Sequence, residues 1–286
     1  MKKIFNVALL LLCVSFASAQ TIMTIHLKDS TKAYYRVEKI DTVDFSALKH
    51  TFVDFHLPSG TLWATCNVGA NKPEEYGDYF AWGETTPYKQ TPKNYPSNWN
   101  GDTNQAYLAN NPKDEFSWPN YMWGNDNYLF KYNNKEELAT PNSEPDYQLR
   151  LKPEDDAAAV YWGQGWHTPT YEQVEELLHY CLCTWVLNYC NTGVNGLLVL
   201  EKNEENKDFL NSNKKFNGNL PHIFMPAAGD IDFDYLSNPN NCGFYWTSDL
   251  SAKDPKMSKV LDFNSNGLVA PNLRSRSYGR SVRPVF

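Results

Sequence analysis

Trp166-His167-Thr168-Pro169-Thr170 is one of four short phrases in the C-terminal half of the chain that together specify its architecture. The other three are Phe224-Met225-Pro226-Ala227-Ala228-Gly229, Gly243-Phe244-Tyr245-Trp246-Thr247-Ser248 and Gly279-Arg280-Ser281-Val282-Arg283-Pro284-Val285. Each phrase supplies helix caps, turn residues or core tryptophans, so each specifies local structure. None of them identifies a ligand, and we therefore look for function in the sequence between them.

Two helices are predicted around the first phrase. Pro153 is followed by three acids, residues 154–156, and then by alanines. Carboxylates in a first turn stabilise the free amides and the dipole of a helix N-terminus. Thr170 and Gln173 have the spacing of a capping box for a second helix. The apolar face of that helix is predicted to contain Val174, Leu177, Leu178 and Cys181.

Short apolar runs separated by Asn and Gly loops predict five strands after the helices, at residues 196–200, 222–225, 244–248, 260–263 and 281–286. Two helices followed by strands indicate an α+β fold with an antiparallel sheet. Upstream, the turn Pro58-Ser59-Gly60 between residues 52–57 and 62–68 predicts the opening hairpin of this domain.

The N-terminus predicts export. Residues 1–19 combine Lys2 and Lys3 with an apolar core and end in Ala17-Ser18-Ala19, the pattern of a Sec signal peptide. The mature protein is therefore expected in the periplasm, on the cell surface or outside the cell. We expect no membrane insertion, because no later apolar run reaches the ~18 residues of a span. Loss of both lysines takes the formal charge from −7 to −9, which argues against nucleic acid as a partner.

The mature chain is predicted to have two parts. Alternating apolar residues predict a β-hairpin within an N-terminal segment, residues 20–49. A larger domain covers residues 50–286. Within it, residues 85–149 show no sustained period but are rich in Asn, Tyr and Trp. We interpret 85–149 as a long insertion that is ordered in part by its own aromatic side chains.

Five cysteines remain after export, namely Cys66, Cys181, Cys183, Cys190 and Cys242. An odd number in a long chain favours buried free thiols over a disulfide framework. One bridge between Cys66 and the 181/183 segment stays open as an alternative. Structural zinc is disfavoured, because one residue separates Cys181 from Cys183 where zinc ligands usually have roughly two to four.

Several phrases of the chain recur in one family. They are Asp54-Phe55-His56-Leu57-Pro58-Ser59-Gly60-Thr61-Leu62-Trp63-Ala64, Gly77-Asp78-Tyr79-Phe80-Ala81-Trp82-Gly83-Glu84, Glu154-Asp155-Asp156-Ala157-Ala158 and parts of the four phrases above. In these the chain resembles the Fibrobacter succinogenes major paralogous domain, a family of secreted domains abundant in Bacteroidetes. The resemblance implies a C-type-lectin-like fold, with two helices and a curled antiparallel sheet whose last strand pairs with its first. It implies no catalytic residues.

The insertion supplies the candidate ligand-binding residues. A sugar suits exposed rings among Asn and Asp, because its apolar face stacks on a ring while amides and carboxylates bond its hydroxyls. The candidates are Trp99, Trp118, Tyr121, Trp123 and Tyr128. The alternative is that these rings pack the insertion itself.

Calcium is the one metal that the sequence suggests. Asp230, Asp232 and Asp234 alternate along a segment that could offer several oxygens to this ion. The EF-hand pattern is incomplete, since Tyr235 and Asn241 stand where it needs glycine and glutamate. A solvated acidic loop is the alternative, and no other cofactor is expected.

The expected function is an exported, non-catalytic binding or adhesion module that recognises a glycan or a surface protein through residues 85–149 and 230–241. One alternative is a structural subunit of a cell-surface assembly. Another is an oxidoreductase similar to formylglycine-generating enzymes, which use a late cysteine pair where this chain has only Cys242. An enzyme is not expected, because the histidines are isolated and no motif of an activated nucleophile occurs.

Overall fold

The computed structural model describes residues 22–26, 32–36, 50–87, 104–105, 115–163, 165–211 and 216–286. The chain divides into two compact units, Met1–Lys49 and His50–Phe286. In the first unit, β1 (Ile22–His26) and β2 (Lys32–Arg36) form the antiparallel hairpin that the alternating pattern predicts. The predicted signal peptide, residues 1–19, lies outside the described residues.

The second unit contains three short helices and eleven strands among the described residues. The helices are α1 (Ala157–Trp162), α2 (Tyr171–Tyr180) and α3 (Glu204–Asn211). The first strands are β3 (Phe52–Asp54), β4 (Leu62–Ala64), β5 (Asn104–Gln105), β6 (Cys181–Val186), β7 (Gly196–Glu201) and β8 (His222–Pro226). The remaining strands are β9 (Asp230–Asp232), β10 (Tyr235–Ser237), β11 (Cys242–Leu250), β12 (Met257–Asn264) and β13 (Val269–Ser275).

These strands form four small antiparallel sheets in the second unit, with the orders β3-β4, β5-β10-β9, β6-β7-β8 and β11-β12-β13. The predicted α+β class is confirmed at this level. Four of the five strands predicted after the helices lie within β7, β8, β11 and β12. The strands β6, β9, β10 and β13 and the helix α3 were not predicted.

The predicted cap of α2 is confirmed, whereas the prediction for α1 holds only in part. Glu154 and Asp155 lie in a separate 3-10 turn, Pro153–Asp155, and α1 begins after Asp156 with no acid in its first turn. The Asp156 side chain caps α1 by accepting a hydrogen bond from the Ala158 amide at 2.9 Å. Thr170 and Gln173 form both bonds of the capping box on α2. The predicted apolar face of α2 was too long, however, because the helix ends at Tyr180 and Cys181 begins β6. Pairing with β7 explains this end, since it takes Cys181 into a sheet.

The C-terminal segment closes the second unit. Leu62 and Phe286 exchange both backbone hydrogen bonds, at 3.1 and 2.9 Å, and the Ala64 amide donates to the Pro284 carbonyl at 3.0 Å. The start and the end of the unit are therefore paired. The continuous strand predicted at 281–286 is wrong in detail, because only isolated bridges occur there, at Ser281 and Val285. Pro284 explains the interruption, because proline has no amide hydrogen to donate to a neighbouring strand.

The core is built on the framework tryptophans. Trp63, Trp82, Trp166 and Trp246 are all fully buried, whereas Trp162 is half-buried and stacks on His50. The sequence did not reveal three arginines that are buried as completely, namely Arg276, Arg280 and Arg283. Each has hydrogen-bond acceptors around its guanidinium, which a buried charge requires.

All five cysteines of the second unit are free thiols in this structure. Cys66 and Cys181 are buried, and Cys183, Cys190 and Cys242 are half-buried. Burial raises the pKa of both Cys181 and Cys183 to about 12. Their thiols are therefore protonated near neutral pH and pack as small apolar groups.

Candidate functional site: an aromatic and acidic groove

A groove of about 540 Å³ lies where three parts of the chain meet. The first wall comes from residues 117–126 of the insertion, the second from the turn between β9 and β10, and the third from the ends of β12 and β13. Its lining contains both aromatic rings and carboxylates. A volume of this size is in the range of small-molecule sites.

The first wall is formed by a 3-10 turn, Trp118–Asn120, with proline at its start. The Trp118 ring is half-buried and stands edge-on to the Tyr121 ring at 5.4 Å. The Lys256 ammonium lies 5.7 Å from the centre of the Trp118 ring and donates to the Asp126 carbonyl at 2.6 Å. This leaves the exposed Asp126 carboxylate on the groove without a described ion-pair partner.

The second wall carries a strained residue. Asp232 pairs with Tyr235, so the hairpin turn between β9 and β10 consists of Phe233 and Asp234 alone. Phe233 has a φ of 54°, a left-handed conformation that glycine favours and a bulky residue rarely adopts. Two backbone bonds to Phe116, at 2.8 and 3.0 Å, hold it there. Its ring is nevertheless 50% exposed and borders the groove.

The third wall contributes Tyr278, Asp254 and Lys256. Burial, together with a hydrogen bond to the Asp232 carboxylate, raises the pKa of Tyr278 to about 12. The phenol is therefore a neutral donor at physiological pH. Asp254 is exposed and accepts a bond from the Lys256 amide at 2.9 Å, which fixes the turn before β12.

Arg276 joins the walls from behind. It donates to the carbonyls of Tyr132 and Lys131 in the insertion, each at 2.7 Å, and to the Pro255 carbonyl beside the third wall at 2.9 Å. Its own backbone amide bonds the Lys256 carbonyl at 3.1 Å. Burial lowers the pKa of Arg276, because desolvation penalises the charged guanidinium.

The predicted aromatic residues divide between groove and core. Trp118 lines the groove. Tyr121 is buried and donates to the Trp82 carbonyl at 2.5 Å, and Trp123 is half-buried and donates to the Gly83 carbonyl at 2.5 Å. Both therefore pack the insertion onto the framework. Tyr128 is 36% exposed but does not line the groove, and Trp99 lies outside the described residues.

The three predicted calcium ligands have different surroundings. Asp230 is buried and its carboxylate bonds the Arg280 guanidinium at 2.8 Å, so that oxygen is already used. Burial raises the pKa of Asp230, and Arg280 partly offsets the effect. Asp232 borders the groove, and Asp234 lies in the turn. Within the described part of the chain, no group of three His, Cys, Asp or Glu side chains is placed to hold a metal ion.

Sequence reasoning missed Phe233, Asp254, Lys256 and Tyr278 as groove residues. The signal at Phe233 was available, since a two-residue turn between strands normally has Gly or Asn where this chain has phenylalanine. Of the other three, Asp254 and Lys256 precede β12 whereas Tyr278 follows β13, and the pairing of these two strands brings Tyr278 to them.

A larger cavity of about 750 Å³ lies beside α1, but its polar groups already have structural roles. The Asp156 carboxylate lines it and accepts bonds from the Thr168 amide and hydroxyl at 2.8 and 2.6 Å, besides capping α1. Thr170, also in the lining, caps α2. The smaller groove is the better candidate for ligand binding, because the exposed Phe233 ring lines it together with carboxylates.

No helix of the described residues combines the length and apolar character needed to cross a membrane. In comparisons with known proteins, no family model, no curated protein and no solved structure matches this chain.

Proposed function

We propose that this protein is an exported, non-catalytic binding module whose groove binds carbohydrate through Trp118, Phe233 and Tyr278. The observation that carries the proposal is Phe233, a half-exposed ring held in a backbone conformation that costs stability. Such strain is retained where a site needs it. Glycine at this position would relieve the strain, so the retention of phenylalanine supports a role outside folding.

The surroundings of Phe233 match the chemistry of a sugar. Aromatic rings can stack on the apolar face of a pyranose, and the carboxylates of Asp126, Asp232 and Asp254 accept hydrogen bonds from its hydroxyls. The Tyr278 phenol donates its proton to the Asp232 carboxylate, and its oxygen can accept a hydrogen bond from a sugar hydroxyl. A glycan therefore finds both kinds of contact within one groove.

We also infer that the second unit has the C-type-lectin-like fold that its resemblance to the paralogous domain family implies. Three features support this inference. The first and last segments of the unit pair, two capped helices precede the main strands, and the long sheet β11-β12-β13 is antiparallel. The groove then lies between the insertion and the hairpin β9-β10, in line with a binding role for both.

A glycan array probed with the mature protein and three single variants tests the proposal. Trp118→Ala and Phe233→Ala should abolish binding to any glycan that the wild-type protein retains. Phe130→Ala is the matched control, because this ring is also in the insertion and is 55% exposed but does not line the groove. Binding that survives both groove substitutions, or an array without hits, would contradict the proposal.

A second candidate function is that of a structural subunit in a surface assembly, as apolar side chains on the insertion favour protein contact. Met122, Phe130 and Tyr147 are 47%, 55% and 58% exposed. In sedimentation velocity, assembly through these residues would be reduced by Phe130→Ser and Tyr147→Ser and left intact by Phe233→Ala. A concentration-independent monomer would remove this candidate.

A further inference from the structure

We propose that the protein forms an internal amide bond between Nζ of Lys131 and Cγ of Asp155, a covalent modification that joins the insertion to the turn before α1. The modification does not depend on the proposed carbohydrate function. Three features support it: the burial of the pair, a phenol that donates to the reacting carboxylate, and the fixed backbone around the lysine.

The ion pair of Lys131 and Asp155 differs from the others among the described residues. Its two side chains are 20% and 8% exposed. The other buried carboxylates that form ion pairs, those of Asp230, Asp249 and Asp262, all have arginine as partner. Arginine is the usual residue for a buried pair, because its guanidinium is weakly hydrated and stays charged. A lysine amine, in contrast, becomes a nucleophile when it loses one proton.

Aromatic rings enclose the lysine. Its Nζ atom lies 4.6 Å from the centre of the Trp123 ring and 5.2 Å from the centre of the Tyr132 ring. Tyr132 is fully buried and Trp123 is half-buried. Burial of two charges between such rings costs free energy. The site therefore favours a neutral amine beside a neutral acid, and it favours the neutral amide that they form.

The Tyr132 phenol is aimed at the carboxylate. Its oxygen accepts a hydrogen bond from the Lys152 amide at 3.0 Å, and its proton is donated to Oδ2 of Asp155, the oxygen that Lys131 also contacts. Burial, together with the bond to Asp155, raises the pKa of Tyr132, so the phenol is protonated at physiological pH. A donor in this position can supply the proton with which a carboxyl oxygen leaves.

The backbone around the reacting groups is held in place. Arg276 donates to the carbonyls of Lys131 and Tyr132, each at 2.7 Å, and the Tyr132 amide donates to the Asp146 carboxylate at 2.8 Å. On the other side, Asp155 is the last residue of a 3-10 turn. Groups fixed in contact react at effective concentrations of up to about 10⁵–10⁸ M. Condensation can therefore proceed here without an activated carboxyl group.

The reaction releases one water and involves no oxidation or reduction. The Lys131 ammonium first transfers a proton to Oδ2 of Asp155, which leaves a neutral amine and a neutral acid. The lone pair of Nζ then forms a bond to Cγ. As the bond between Cγ and Oδ2 breaks, the Tyr132 phenol donates its proton to Oδ2 and regains one from Nζ. The oxygen departs as water, and a neutral amide remains.

The bond would give the insertion a covalent attachment that it otherwise lacks. Residues 85–149 contain no cysteine, so a disulfide cannot attach this segment to the rest of the unit. Lys131 and Asp155 are 24 positions apart and lie on opposite sides of the boundary between insertion and turn. An amide between them also resists reducing agents, because it contains no sulfur.

Peptide mapping of the mature protein by mass spectrometry tests the proposal. Bond formation removes one water, about 18 Da, and trypsin should then leave the chain uncut after Lys131. The digest should contain a branched peptide in which the segment ending at Lys135 is joined to the segment that contains Asp155. Fragment ions should place the link between Lys131 and Asp155. Linear peptides alone, one ending at Lys131 and one with unmodified Asp155, would overturn the proposal.

Three variants identify the reacting groups. Lys131→Arg keeps the positive charge but cannot form the amide, so its digest should contain only linear peptides. Lys135→Arg is the matched control, because it replaces the next lysine of the insertion, outside the contact with Asp155, and should retain the branch. Tyr132→Phe keeps the ring and removes the donor, so after cell-free synthesis the branched peptide should form at least about 100-fold more slowly.

Each outcome bears on one part of the proposal. A branched peptide that persists in Lys131→Arg would locate the link at another lysine and overturn the assignment. An unchanged rate in Tyr132→Phe would overturn the role of the phenol. The wild-type digest decides whether the bond exists even if a variant does not fold, and neither result changes the expected outcome of the glycan array.

Discussion

Replacement of Phe233 by glycine and by alanine should give two variants that differ in stability but lose glycan binding equally. Both variants lose the ring, but alanine keeps the strain of a φ of 54° while glycine relieves it. A left-handed conformation costs an L-residue about 1–2 kcal/mol, and glycine loses about 0.5–1 kcal/mol to extra backbone entropy. The glycine variant should therefore be more stable than the alanine variant by about 0.5–1 kcal/mol.

For a domain of this size, each kcal/mol of added stability raises the Tm by about 2–4 °C, which calorimetry measures. Phe130 provides the control, because it is exposed and does not have a positive φ. At this position the glycine variant should be less stable than the alanine variant. Both Phe233 variants should lose glycan binding to the same extent. Equal or lower stability of Phe233→Gly than of Phe233→Ala would refute the strain argument, and with it the observation that carries the proposed function.

Three further predictions concern the support of the groove and the core. Arg276→Met leaves several buried carbonyls unpaired and should lower the free energy of unfolding by about 3 kcal/mol or more. Arg283→Met should lower it by about as much. Only the Arg276 variant, however, should lose ligand affinity at the groove and hydrogen-exchange protection at residues 123–132. Burial lowers the pKa of His222 below the ~6.5 of an unfolded histidine. The protein should therefore keep its full stability above pH ~6.5 and lose stability as the pH falls below this value. Urea unfolding of His222→Gln should show a smaller loss of stability over the same pH range. If the variant loses as much stability, another group is responsible. A methyl group at Gly279 would lie 2.2 Å from the Phe116 ring, so Gly279→Ala should lower the free energy of unfolding by about 1–3 kcal/mol. In a double-mutant cycle, Phe116→Leu should recover part of this loss. Additive effects of the two substitutions would contradict the contact.

Features of the fold that depend on neighbouring residues were predictable. The capping box of Thr170 and Gln173 and the hairpin turn at Gly60 are specified within a few positions, and the structure contains both. Of the three acids predicted in the first turn of α1, only Asp156 serves the helix, as its N-cap. The predicted apolar face of α2 was too long and included Cys181, because the apolar spacing continues in the sequence after the helix ends. Pairing with β7, about fifteen residues downstream, takes this residue instead.

The groove was harder to predict, because its charges and rings come from distant segments. Trp118 and Asp232 were among the candidates, but their neighbours Asp254 and Tyr278 lie just before β12 and just after β13, whose pairing brings them together. Tyr121, Trp123 and Asp230 look the same in sequence as the residues of the groove. Tertiary contacts with Trp82, Gly83 and Arg280 commit them to the core.

Local chemistry thus establishes the helix caps, the main strands and the buried tryptophans, since each depends on side chains and backbone groups that are adjacent in the chain. Which aromatic rings and carboxylates stay available to a ligand depends on long-range packing. Arg276 illustrates the reason: a single buried guanidinium bonds carbonyls more than a hundred residues away and so fixes the walls of the groove. No local pattern in the sequence encodes that contact, because its energy arises only when distant segments exclude water together.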